Sequence, residues 1–125
     1  MKKECINLPG VTPIAPYSPA VVAGDFVFVS GQVGYDMAKR QWLGDDIRTQ
    51  AKGALENLKE VLELAGSNLQ KVVKVNIYLN DVNDFATVNE IYKDYFVSEP
   101  PARTCFQIAK IPLGGLIEIE AIALK

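Results

Sequence analysis

The chain has 125 residues with 49% hydrophobic content, which suits a single folded domain spanning 1–125 rather than a disordered chain. Its 13 Lys and Arg are scattered among 15 Asp and Glu, for a net charge of −2 and a pI near 5.1, which argues against the clustered cations of a nucleic-acid interface. No apolar run approaches the roughly 20 residues of a membrane span, and Met1-Lys2-Lys3-Glu4 leads into proline rather than an apolar signal core, so the expectation is a cytoplasmic protein with no membrane partner.

Residues 1–19 carry Pro9, Pro13, Pro16 and Pro19 and read as an extended arm with turns, because proline blocks helix interiors and central strands. Ala20–Val22 and Asp25–Ser30 read as two strands around a turn at Gly24, with Gly31 ending the second or marking a bulge. The clearest helix covers 46–65: Asp46 can cap it, Ala51, Leu55, Leu58, Leu62 and Ala65 recur at helical spacing, and Gly66 suits a left-handed C-terminal cap. Val72–Leu79 alternates as a strand. A second helix is expected over 84–97, capped by Asp84, with an apolar face of Phe85, Val88, Ile91, Tyr92, Tyr95 and Phe96, and Pro100-Pro101 stops it. Strands near 102–109 and 116–124 follow, joined by a turn at Pro112-Leu113-Gly114-Gly115. This order predicts an α+β layer, one sheet with two helices on one face, whose other face is either solvated or covered by a partner.

The absence of histidine removes the Ser-His-Asp triad, the Cys-His dyad and histidine general-base chemistry. Two cysteines without histidine cannot build the usual zinc sites, and for Cys5 and Cys105 free thiols are a simpler reading than a disulfide. Chemistry is left to Arg, carboxylates, Tyr, Cys, hydroxyls, Lys, backbone groups and water. In the strand from Ala102, alternation sends Arg103, Cys105 and Gln107 to one face and Thr104, Phe106 and Ile108 to the other. In the last strand Glu118 and Glu120 share a face opposite Ile117, Ile119, Ala121 and Ala123. If these two strands pair across the Gly114-Gly115 turn, Arg103 and a glutamate stand on one face. On pattern alone that is a surface ion pair worth about 0–1 kcal/mol. The functional reading gives the Arg103 fork to a substrate carboxylate, with a glutamate positioning water.

Pro101-Ala102-Arg103-Thr104-Cys105 with Ile117-Glu118-Ile119-Glu120-Ala121-Ile122-Ala123 resembles the signature of the RidA family, also called YjgF/YER057c/UK114. Pro16-Tyr17-Ser18, Ser30-Gly31-Gln32 and Asn83-Asp84-Phe85-Ala86-Thr87-Val88-Asn89 resemble further family motifs in the same order, so the likeness covers nearly the whole chain. It implies a chorismate-mutase-like subunit assembled as a homotrimer, with sites in clefts between subunits. It implies hydrolysis of reactive enamines and imines, such as 2-aminoacrylate and 2-iminopropionate, to 2-keto acids and ammonia, without a cofactor. Carried over by position, Arg103 matches the arginine that binds the substrate carboxylate and Glu118 the glutamate associated with the hydrolytic water. Tyr17, Ser30, Gly31, Asn89 and Cys105 match cleft-lining positions, and Glu120 takes the place of Glu118 if the register differs. Two glutamates on one face also raise one pKa by like-charge repulsion, which keeps an acid available for the departing ammonia.

Gly34 stands where many members carry proline, Pro100 precedes Pro101 after a short linker, and the turn at 112–115 is rich in glycine, so substrate preference is open. Two other readings stand beside the hydrolase: a non-catalytic trimer that binds keto acids or a regulatory protein, and an endoribonuclease or translation inhibitor, against which the acidic pI and missing histidine speak.

Overall fold

Val72–Leu79 (β6) is an interior strand of the sheet: from Lys74 onward it alternates, with Val75, Ile77 and Leu79 fully buried while Lys74, Asn76 and Tyr78 turn to the other face, whereas a register shift between Val72 and Lys74 leaves Val73 exposed. The computed structural model describes residues 2–125. Around β6 lie β1 (Lys3–Ile6), β2 (Ala20–Ala23), β3 (Phe26–Gln32), β7 (Ala102–Gln107) and β8 (Ile117–Leu124), in the order β1-β2-β3-β8-β6-β7. A small separate hairpin joins β4 (Tyr35–Asp36) to β5 (Gln41–Trp42). The two helices, α1 (Ile47–Leu64) and α2 (Phe85–Tyr95), bury Leu55, Leu58, Leu62, Val88 and Tyr92 in one core with the inward side chains of β3, β6 and β8. The expected α+β architecture, a mixed sheet with two helices on one face, is the observed one.

Asp46 caps α1 as expected, its carboxylate accepting from the Thr49 backbone N–H, and Gly66 takes the left-handed conformation just past the helix end. Asp84 holds the N-cap position of α2 as expected, but its side chain makes no capping hydrogen bond. It lies inside a one-turn 3-10 helix (Val82–Asp84) that leads into α2, and the side chain that caps this turn is Asp81, through the Asn83 N–H. α2 stops at Tyr95, two residues short of the expected end. The arm is not wholly irregular either: Lys3–Ile6 precede every proline, keep all their N–H donors and pair with β2.

The strand pairing differs in a way that matters. β7 and β8 are not neighbours. β6 lies between them, antiparallel to β8 and parallel to β7. With α2 as the crossover between them, β6 and β7 run in the same direction, as a βαβ unit demands. Residues 108–116 then carry the chain across the end of β6, held by Ile108 N–H to Leu79 O and Asn80 N–H to Leu116 O. That span is too long for a tight hairpin turn, so the Gly114-Gly115 segment sets no register between β7 and β8.

α1 is fixed to the sheet by one buried polar side chain. Gln50 Oε1 accepts from Leu116 N–H at 2.8 Å and its Nε2 donates to Gly44 O at 3.0 Å, joining the helix to the loop before it and to the approach to β8. Next to it α1 passes so close to Gly34 that a Cβ there would stand 2.5 Å from Gln50 Cα, which accounts for glycine at this position. Trp42 meets Tyr35 edge-on at 5.1 Å and lies against Gly115, whose Cβ would come within 2.9 Å of the indole. Gln50→Leu keeps the volume but leaves two backbone groups unpaired. It should destabilise the fold by about 2–3 kcal/mol, seen as a lower denaturant midpoint at unchanged m.

Candidate active site

The sequence-predicted residues fall into two groups on opposite faces of the sheet. In the parallel register Arg103 stands beside Val75 and Cys105 beside Ile77, so both point to the helix face. There the Arg103 guanidinium carbon lies 4.8 Å from the centroid of the Tyr92 ring and 5.5 Å from that of Phe85. These two aromatic residues are spaced seven apart on α2, and Asn89, four after Phe85 and three before Tyr92, shares their side of the helix. Arg103, Cys105 and Asn89 therefore form one group around the β7–α2 junction.

The second group lies where β3 and β8 meet. Glu118 packs on Gly31 so closely that a Cβ at 31 would stand 2.6 Å from its Cδ, so a larger residue there would displace the Glu118 side chain. Ser30 ties the proline-rich arm down: its hydroxyl donates to Ser18 O at 2.6 Å and its N–H to Pro19 O at 2.9 Å. Tyr17 is thereby held at the same cleft as Gly31 and Gln32. Tyr17, Ser30, Gly31 and Glu118 are thus gathered together, and within one chain they are separated from Arg103 by the sheet. The expectation that Arg103 and a glutamate share a face of one subunit is corrected by the position of β6. Residues 103 and 118 differ in facing because β7 pairs with β6 at Val75 while Glu118 pairs with Tyr78.

The electrostatics of the two groups differ. The Cys105 thiol is pushed up by burial, with Arg103 opposing, so it stays a thiol at neutral pH and suits a lining role better than that of a nucleophile. Burial raises Tyr92 to about 12, against the pull of Arg103, and its buried hydroxyl has no hydrogen-bond partner among the described residues. Glu118 is raised above the ordinary carboxylate range, first by burial and then by the charge of Glu120. Glu120 accepts hydrogen bonds from the Tyr78 hydroxyl and, at 3.1 Å, from Asn76 Nδ2. The aromatic cradle and the Tyr78–Asn76 pair were missed from sequence. Phe85 and Tyr92 read there as ordinary apolar positions, and only their spacing on one helix side hinted at a shared object.

The family model for Endoribonuclease L-PSP matches residues 9–125. The chain belongs to this family, the RidA family. A RutC-family protein of Pyrococcus horikoshii is 47% identical over 125 residues, covering 100% of this chain and 99% of that one. The human 2-iminobutanoate/2-iminopropanoate deaminase is 46% identical over 112 residues, covering 90% of this chain and 82% of its own. Among solved structures, Escherichia coli TdcF with bound serine superposes with a TM-score of 0.90 at 35% identity, covering 98% of both chains. As a member of the RidA family the chain keeps the family fold while placing Gly34 and its glycine-rich turn against Gln50 and Trp42, as described above. Among the described residues no helix is long and apolar enough to cross a membrane, and no cluster of three His, Cys, Asp or Glu could hold a metal ion.

Because the folded pKa of Glu118 lies above its unfolded one, the folded chain binds the extra proton. Its contribution is intact at low pH, and stability falls as pH rises from the ordinary carboxylate value through the raised one. Glu118→Gln removes that fall. The variant should melt with wild type near about pH 4 and above it at about pH 7, which thermal midpoints across this range will show.

Proposed function

We propose that this chain hydrolyses reactive enamines and imines of small amino acids, of the 2-aminoacrylate and 2-iminopropionate type, to 2-keto acids and ammonia. The observation that carries the reading is the state of Arg103. It is held between two aromatic rings, and the ion pair found among the described residues is Arg48–Glu90, so no carboxylate among them neutralises it. A planar fork held in this way offers two charge-assisted hydrogen bonds to a small carboxylate. Relatives that share 46% identity are named imine deaminases, and TdcF holds serine, another small molecule with a carboxylate.

The site is completed between copies of the chain in a homotrimer. Arg103, Cys105 and Asn89 of one copy meet Tyr17, Ser30, Gly31 and Glu118 of the next. Two features support this: the two groups cannot meet inside one subunit, and the sheet face away from the helices exposes Phe26, Phe28, Phe106 and Leu124, an apolar surface in need of cover. In that cleft Arg103 fixes the carboxylate. Glu118, neutral more readily than an ordinary carboxyl, hands its proton to the imine nitrogen and draws one from water as the water oxygen attacks the carbon. No cofactor enters these steps.

A non-catalytic binder of keto acids would use the same Arg103 clamp, and the serine held by TdcF favours keeping it in view. Glu118→Ala separates the two. In an assay coupled to a threonine dehydratase, it should lower kcat for keto-acid release by about 100-fold or more while 2-ketobutyrate still binds. Arg103→Ala should abolish both binding and turnover. If wild type releases keto acid no faster than the uncatalysed reaction, the hydrolase reading falls. Sedimentation of the wild-type chain should give three times the monomer mass, and a monomer would remove the shared site.

A further inference from the structure

The outward face of β6 and β8 carries an arrangement that the hydrolase reading does not use. We propose that Tyr78 and Asn76 are positioning residues: they hold Glu120 as a fixed carboxylate beside Glu118, so that the transferable proton of the glutamate pair resides on Glu118. The proposal rests on the imine-hydrolase reading and names, within that site, which glutamate works and what sets its state.

The register builds the arrangement. On β8 the outward positions 118 and 120 are neighbours two residues apart, and across the ladder Tyr78 stands opposite Glu118 and Asn76 opposite Glu120. Yet both side chains of β6 reach the same acceptor. The Tyr78 hydroxyl and Asn76 Nδ2 each donate to Glu120 Oε1, whereas no hydrogen bond reaches the Glu118 carboxyl among the described residues. Donors aimed at a carboxylate favour its charged form. The Tyr78 ring is braced in turn by Phe106 of β7, edge-on at 5.4 Å.

Glu118 meets the opposite conditions. It is half-buried against Gly31 of β3, which brings no charge, and faces the phenol of Tyr78 and the anion of Glu120. On this face Lys74 of β6 stands opposite Ile122 and donates to Thr104 Oγ1 of β7 at 2.8 Å, and Lys3 of β1 stands opposite Ala23 at the far edge of the sheet. The donors thus all go to one member of the pair, and Glu118 is the carboxyl left without one. Tyr78 shows the reciprocal effect: its hydroxyl is held at about 12, chiefly by the bond to Glu120.

The consequence for the reaction is a proton in the right place. Glu118 protonates the imine nitrogen, and its carboxylate then accepts a proton from water as the water oxygen bonds to the carbon, giving the carbinolamine. The restored acid protonates the amino group, the C–N bond breaks with its electron pair going to nitrogen, and ammonia leaves. The carbinolamine hydroxyl returns its proton to Glu118 as the carbonyl forms, so Glu118 ends as it began. Glu120 takes no part in these transfers.

The test follows the carboxyl carbon of Glu118 by NMR in the full-length protein labelled at glutamate Cδ, with Glu118→Gln to assign the signal. Glu120→Gln removes the neighbouring charge and should lower the Glu118 midpoint, leaving the part of the rise that burial causes. Tyr78→Phe removes a donor, lets Glu120 compete for the shared proton, and should move the midpoint the same way by less. The basic limb of kcat/KM against pH should fall in parallel in both variants, a shift that simple loss of packing does not produce. A Glu118 midpoint that stays put in both variants, or rises in Tyr78→Phe, overturns the proposal. The titration decides even if the wild-type chain turns over no imine, in which case the hydrolase reading falls separately.

Discussion

The position of β6 between β7 and β8 governs this molecule. Its inward side chains form the middle of the core, and its two ladders fix what stands on each face. The parallel ladder turns Arg103 and Cys105 towards α2. The antiparallel ladder turns Glu118 and Glu120 away from it. Shifting either register by one residue would exchange every side chain between core and surface, so the hydrophobic alternation of β6 and β8 protects the chemistry as well as the fold.

Without histidine, the chain obtains usable groups by environment rather than by choice of residue. An arginine is held between aromatic faces, which leaves its hydrogen-bonding edge to a ligand while the rings contribute about 0.5–2 kcal/mol of attraction. A glutamate is moved towards neutrality by burial and a like charge. The raised glutamate costs folding stability at neutral pH, and the large inward faces of α1, β6 and β8 offset it.

Much of this was legible in the residues. The alternation in β6 and β8 and the stripe, cap and glycine stop of α1 came through because each is a local pattern that its own element obeys. The facing of Arg103 with Cys105, and of Glu118 with Glu120, followed for the same reason. What stayed hidden was non-local. A strand pattern carries no record of which strand lies beside it, so the intervention of β6 between β7 and β8 was invisible, and with it the separation of Arg103 from Glu118. Lys3–Ile6 was overlooked because an exposed edge strand needs little apolar content. Asp84 holds the N-cap position of α2, yet the capping hydrogen bond falls to Asp81, where the preceding turn begins.

The chain's one tryptophan sits at a useful place. Trp42 is wedged between Tyr35 of its own hairpin and the backbone of Gly115, next to the glycine-rich turn that crosses the end of β6. Its indole is therefore an intrinsic optical gauge of that junction. Emission colour and quenching by an external agent will report whether the hairpin and the turn stay docked, without a label and without disturbing Arg103 or the glutamates.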